Sequence, residues 1–238
     1  MKATKYLQPT KLLDYKDLKI QRLILSNEWN TLLSDSAKIE AVYNYVRDRV
    51  LYGYSTNFDL KASQVLGMGY GNCLTKTTLL MALLRAMGIP CRLKAGTISR
   101  VIFRGLLPAI EYRLMDKTIH HSFVELYHNN TWIATAGHIV DRAYLTKLQA
   151  KFPDHMGSFL GYGIAVIHFR NPPIHWNEGE TSIQNKALHH DLEVFEDPDS
   201  FFKTHPKAIK DSQRFVFQKL IIPSLNESIT SLRNNPNP

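Results

Sequence analysis

Cys73 is the side chain best placed to do chemistry. A cysteine nucleophile needs thiolate character, a base or cation beside it, and donors for the oxyanion it creates. The run Gly67-Met68-Gly69-Tyr70-Gly71-Asn72 precedes Cys73 and an apolar helical pattern follows it, so the cysteine falls in a first helical turn. Unsatisfied N–H groups and the helix dipole there favour the thiolate, and such placement can lower a thiol pKa from about 8.5 to roughly 3.5–7.5. The Cys73 N–H would point where an oxyanion forms, and the glycines let a substrate backbone come close. Tyr70, Asn72 and the more distant Gln64 are candidates to donate to that oxyanion or to line the cleft. The partner base should be a histidine on a rigid element. His120 and His121 open the most regular strand, and because strand neighbours point to opposite faces only one of them can reach the thiol. Cys91 lies in a strand without an activating feature and reads as structural.

The elements that must position these residues follow from periodicity. Ile39, Val42, Tyr43, Val46 and Val50 recur at helical spacing behind Ser34-Asp35-Ser36, predicting a helix from about Asp35 to Val50. Residues 61–66 suit a short helical turn. Leu80, Leu83, Leu84 and Met87 set the face of a helix from Leu74 to Met87; Leu79 and Met81 widen it until the helix must be surrounded. Gly88 suits the position just past its end, and Pro90 prevents continuation. Strands are expected over Cys91–Ser99, His121–Tyr127, Thr131–Ala136 (after an Asn129-Asn130 turn) and Gly161–Phe169. No clean period emerges in residues 1–33 or 174–190. Asp197-Pro198 predicts a capped helix over 198–204, and a last helix from about Asp211 meets Pro223, which must bend or break it.

The stretch from Gly71-Asn72-Cys73 through Arg85-Ala86-Met87-Gly88-Ile89-Pro90-Cys91-Arg92 resembles the nucleophile helix of the transglutaminase-like superfamily. His121-Ser122-Phe123-Val124-Glu125-Leu126-Tyr127, followed by Trp132, resembles that family's histidine strand, and this register selects His121 over His120. The likeness spans about residues 37–141; Asp191 to Phe202 is similar to a C-terminal segment of a bacterial subgroup. It implies an α+β, papain-like core with the nucleophile helix packed on an antiparallel sheet, and a Cys-His-Asp site in an acyltransferase, peptidase or amidase. The pattern breaks at its third member, because the family's acidic residue would fall at Ala136. Asp141 or His138 could orient the imidazole instead, and a dyad of Cys73 and His121 is the expectation.

Composition sets the bounds. With 238 residues, 44% hydrophobic and 21% charged, the chain fits one core over residues 1–170. A C-terminal extension, 171–238, packs on that core, and a flexible tail is expected over 233–238. The +8 net charge is scattered rather than striped, which argues against a nucleic-acid partner. No leader-like or membrane-spanning apolar run stands out, so a cytoplasmic protein with free thiols is expected. His189-His190-Asp191 lacks metal-ligand spacing, and neither a dinucleotide fingerprint nor a phosphate loop survives at Gly67–Thr77. No metal or cofactor is therefore expected. The reading is a cysteine-dependent hydrolase or acyltransferase acting on a peptide or protein amide; the alternative is an inactive relative that binds a peptide or protein in the same cleft.

Overall fold

The computed structural model describes residues 4–189, 191–205 and 215–234. Helix α1 (Leu18–Ser26), which the sequence pattern did not single out, buries Ile20 and Ile24. Helix α2 (Asp35–Arg49) starts where the hydroxyl of Ser34 accepts the Ala37 N–H and buries the expected Ile39, Val42, Tyr43 and Val46. Two short strands then pair in parallel, β1 (Leu51–Tyr52) with β2 (Tyr70–Gly71), enclosing α3 (Ala62–Met68).

Asn72 launches α4 (Cys73–Ala86) through a capping box. Its Oδ1 accepts the N–H groups of Leu74 (3.0 Å) and Thr75 (3.3 Å), while Thr75 Oγ1 accepts the Asn72 N–H (3.0 Å). The helix ends in a Schellman turn: Gly88, at φ 80°, donates to the Arg85 carbonyl (3.1 Å) and Ile89 donates to that of Leu84 (2.9 Å). Every residue from Cys73 to Arg85 is buried, because α4 lies between a sheet on one side and α2 and α3 on the other. Each buried leucine or methionine adds roughly 1.5–3 kcal/mol of transfer free energy. Polar side chains survive there only with partners. Thr78 bonds the Leu74 carbonyl, and Arg85 donates to the carbonyls of Gln8, Cys91 and Glu196.

The sheet combines β3 (Cys91–Ser99), β4 (Thr118–His128) and β5 (Thr131–Thr135), all antiparallel, and the fold is α+β. Asn129 and Asn130, both at positive φ, make the β4–β5 turn. After β5 come α6 (Arg142–Lys151) and a hairpin, β6 (Phe159–Gly161) with β7 (Ile164–Val166). A single strand was expected here; Tyr162 and Gly163, at φ 51° and 79°, fold it back instead. Strand β8 (Glu193–Phe195) returns to pair with β3, completing the order β5-β4-β3-β8. Asp197 caps the expected helix at Pro198–Thr204. The last helix runs over Ile222–Asn234 beyond a wider π turn at Phe217–Ile221. It continues through Pro223, whose missing N–H falls just beyond that loosened turn. Asp211 and the end of the tail lie outside the described residues.

Candidate active site

Three chain segments converge on the first turn of α4. The β1–β2 pairing, with Leu51 N–H on the Gly69 carbonyl (2.9 Å) and Gly53 N–H on that of Gly71 (3.0 Å), brings Tyr52 and Tyr54 alongside. Strand β4 arrives from the other side. Strand β5 ends at Thr135, opposite Val124, so β5 leaves the edge at Ser122 uncovered. Ser122 turns these groups to α4: its hydroxyl donates to the Cys73 carbonyl (3.4 Å), and its own carbonyl accepts from Thr77 Oγ1 (3.3 Å). The Ser122 N–H acts on the Cys73 sulfur, as do those of Leu74 and Cys73 itself. The peptide unit joining His121 to Ser122 thus borders the thiol.

The electrostatics overturn the expected thiolate. Cys73 is only 8% exposed, and burial pushes its thiol up to about 11 despite the three N–H groups that pull the other way. Removal from water outweighs the helix terminus. His121 is fully buried, and burial alone pulls its imidazole down to about 3. Neither ring nitrogen has a hydrogen-bond partner, the Cys73 thiol included. Both groups are neutral at pH 7. His120 is engaged elsewhere, its ring 5.6 Å from that of Phe201 and 5.3 Å from that of His205.

The proposed orienting groups are committed to other bonds. Asp141 caps α6 by accepting the Tyr144 N–H (2.9 Å), accepts the Tyr52 N–H (2.9 Å) and pairs with Arg233 (2.7 Å). None of these bonds reaches His121, whose ring nitrogens are without a hydrogen-bond partner. His138 bridges the Thr135 carbonyl (2.9 Å) and Thr77 Oγ1 (3.2 Å), again without reaching His121. Burial, then the charge of Lys76, pulls the His138 imidazole down to about 3. Ala136 is buried and donates its N–H to the Thr181 carbonyl (2.8 Å).

The oxyanion candidates divide similarly. Asn72 is a buried helix cap. Gln64 is exposed, and its Oε1 caps α3 by accepting the Lys61 N–H (2.9 Å). Tyr70 lies against Gly53 and is 36% exposed, at the rim. Sequence reasoning did not single out Ser122, Tyr52, Tyr54 or Lys76. Lys76 is fully buried on α4, donates to the Arg47 carbonyl (3.1 Å), and is pulled down to about 7 by burial, against the attraction of Asp141 and Asp48. Among the described residues no group of three or more His, Cys, Asp or Glu side chains could hold a metal ion, and no helix is long and apolar enough to cross a membrane.

Residues 25–136 match the family profile of the transglutaminase-like superfamily. A crystal structure from Cytophaga hutchinsonii, of a protein named "putative cysteine protease", is similar at 22% identity with a TM-score of 0.43. The likeness covers 56% of this chain and 40% of that one. No curated protein matches.

Proposed function

We propose, from the transglutaminase-like core carried by residues 25–136, that this protein is a cysteine-dependent amide hydrolase or acyltransferase using Cys73 and His121. One observation carries the reading: His121 is wholly buried with both ring nitrogens unpartnered. Leaving a buried polar group unsatisfied costs about 1–3 kcal/mol, and native proteins keep few such groups. An imidazole held ready for a proton beside a nucleophile accounts for that cost. In this scheme His121 takes the thiol proton as the sulfur of Cys73 attacks the carbonyl carbon. The carbonyl electron pair moves to oxygen, facing the Cys73 N–H. The imidazolium then protonates the leaving amine, and the acyl-enzyme is resolved by water, the default acceptor, or by a second amine. The substrate class is a peptide or protein amide. The chemistry needs no cofactor and suits the reducing cytoplasm, where Cys73 and Cys91 remain the free thiols seen here.

A second reading, a silent relative that binds a peptide in the same cleft, draws on Ala136 and on the neutral thiol. Acylation by p-nitrophenyl acetate, followed by intact mass and peptide mapping, separates the two. The enzyme reading expects an acetyl group on Cys73, none there in Cys73→Ala, and a rate lowered about 10²-fold or more in His121→Ala. Acetylation of Cys73 no faster than that of Cys91 would sink it and leave the binding reading.

A further inference from the structure

Strand β4 outruns the strand beside it. Its pairing with β5 covers Val124 to His128 and stops, so residues 118–123 have no strand neighbour on that side. The register with β3 continues without a break from Leu126 to Thr118, and backbone groups along such a strand alternate between its two edges. Tyr127 N–H bonds the Pro90 carbonyl (2.8 Å), so the odd-numbered residues of β4 face β3. The Val124 carbonyl accepts from Thr135 Oγ1 (3.0 Å) and that of Ser122 from Thr77 Oγ1 (3.3 Å), so the even-numbered ones face the other way. The backbone groups of Thr118, His120 and Ser122 therefore line the edge that β5 leaves.

Helix α4 fills this edge at one place. Ser122 is tied to its start, hydroxyl to the Cys73 carbonyl (3.4 Å) and carbonyl to Thr77. Two residues back, the N–H and carbonyl of His120 find no partner on that edge among the described residues, and neither do those of Thr118. His120 is half-buried and Thr118 exposed, which leaves room for a further strand. Neighbouring strands lie about 4.8 Å apart and advance about 3.4 Å per residue, so His120 is only about 7 Å along the strand from Ser122. A strand laid on Thr118 and His120 runs into the start of α4, where Cys73 stands. It brings the complement that this edge needs, one N–H and one carbonyl on every second residue.

We infer that the acyl donor is an extended polypeptide segment that pairs with β4 at Thr118 and His120, which delivers its carbonyl to Cys73. The inference rests on the proposed function and deepens it by naming the substrate class: main chain in extended form, held by backbone hydrogen bonds as an added strand. Helical segments have no free backbone groups to offer this edge and are poor donors. Many side chains are accepted, whereas proline or an N-methyl group at a facing position removes a needed N–H.

Acetyl-tetraalanyl chloromethyl ketone tests it on the full chain. The Cys73 sulfur displaces chloride, the C–S bond forming as the C–Cl bond breaks, and the thiol proton is released. In the free protein the His120 N–H should exchange readily with solvent, while those of Ile119 and His121, facing β3, are protected. In the adduct, exchange at His120 should slow about tenfold or more. Exchange there that is unchanged in the adduct, or already slow in the free chain, would overturn the inference. N-methylation of the peptide at alternate residues should slow labelling about tenfold and leave it near the parent rate at the residues between. Equal effects at every position would also overturn it, and so would labelling of Cys73 no faster than by chloroacetone. An adduct with His120 protected, in a chain whose Cys73 is acetylated by p-nitrophenyl acetate no faster than Cys91, would overturn the catalytic reading alone and keep the edge as a peptide site.

Discussion

Removing the Asp141 carboxylate separates structure from catalysis at this site. The group is 1% exposed and takes three bonds, from Tyr52 N–H (2.9 Å), Tyr144 N–H (2.9 Å) and Arg233 Nη2 (2.7 Å). Losing the cap alone costs about 1 kcal/mol. Breaking a buried ion pair from one side costs about 3–5 kcal/mol, because the partner charge stays behind. The Arg233 side chain is 16% exposed and can recover some hydration, which argues for the lower half of that range. Asp141→Ala is therefore expected to lose about 4 kcal/mol in urea unfolding, a large share of a typical 5–15 kcal/mol. Arg233→Ala should lose less, since Asp141 keeps two N–H donors, and the double variant should lose less than the sum. Molecules of Asp141→Ala that remain folded should still alkylate at Cys73. A stability change under about 1 kcal/mol together with lost acylation of Cys73 would refute this reasoning and favour a catalytic role for Asp141.

Acid should weaken the fold through its two buried imidazoles. His121 and His138 are pulled down to about 3 by burial, so below their unfolded value of about 6.5 only the unfolded chain binds these protons. Stability falls with pH in that window, and at pH 5 each histidine should have removed about 2 kcal/mol. His121→Leu should halve that slope between pH 6.5 and 5 without loss at pH 7, as urea midpoints at each pH would show; an unchanged slope contradicts the neutral buried imidazole. Gly71→Ala would put a Cβ 2.5 Å from Thr75 Oγ1 and 3.0 Å from Lys76 Cγ, dislodging the capping box and acylation with it. Gly88→Ala meets open space at φ 80°, so it should cost about 1 kcal/mol of backbone strain and leave acylation intact.

The parts legible in the sequence are those set by local chemistry. The apolar run of α4, its Asn72 start and its Gly88 stop lie in one continuous stretch, as do the Asn129-Asn130 turn and the Asp197-Pro198 start. Helix α1 escaped notice because exposed Leu18 and Leu25 blur the stripe of buried Ile20 and Ile24. Strands β1 and β2 have two residues each and no periodicity to find; they exist because α3 folds their ends together. The site residues divide along the same line. Cys73 and His121 stand in recognisable contexts, whereas the bonds of Asp141 are decided by Tyr52 and Arg233, each about ninety positions away. A helix-terminal dipole can be read from sequence, but the burial that outweighs it at Cys73 comes from the whole core.

The neutral thiol, the neutral imidazole and Ala136 have one physical origin. A carboxylate beside a histidine favours the imidazolium, and an imidazolium beside a cysteine favours the thiolate. With alanine at 136 and Asp141 turned to Arg233, His121 has no anion to hold a proton for, and burial drives both groups to their uncharged forms. If Cys73 attacks as proposed, the proton must move as the C–S bond forms, instead of starting from a standing ion pair. In the proposed scheme the transition state separates charge in a dry pocket, so its demand falls on a fixed donor such as the Cys73 N–H. On that scheme, the lack of an orienting acid raises the catalytic weight of whatever group stabilises the oxyanion.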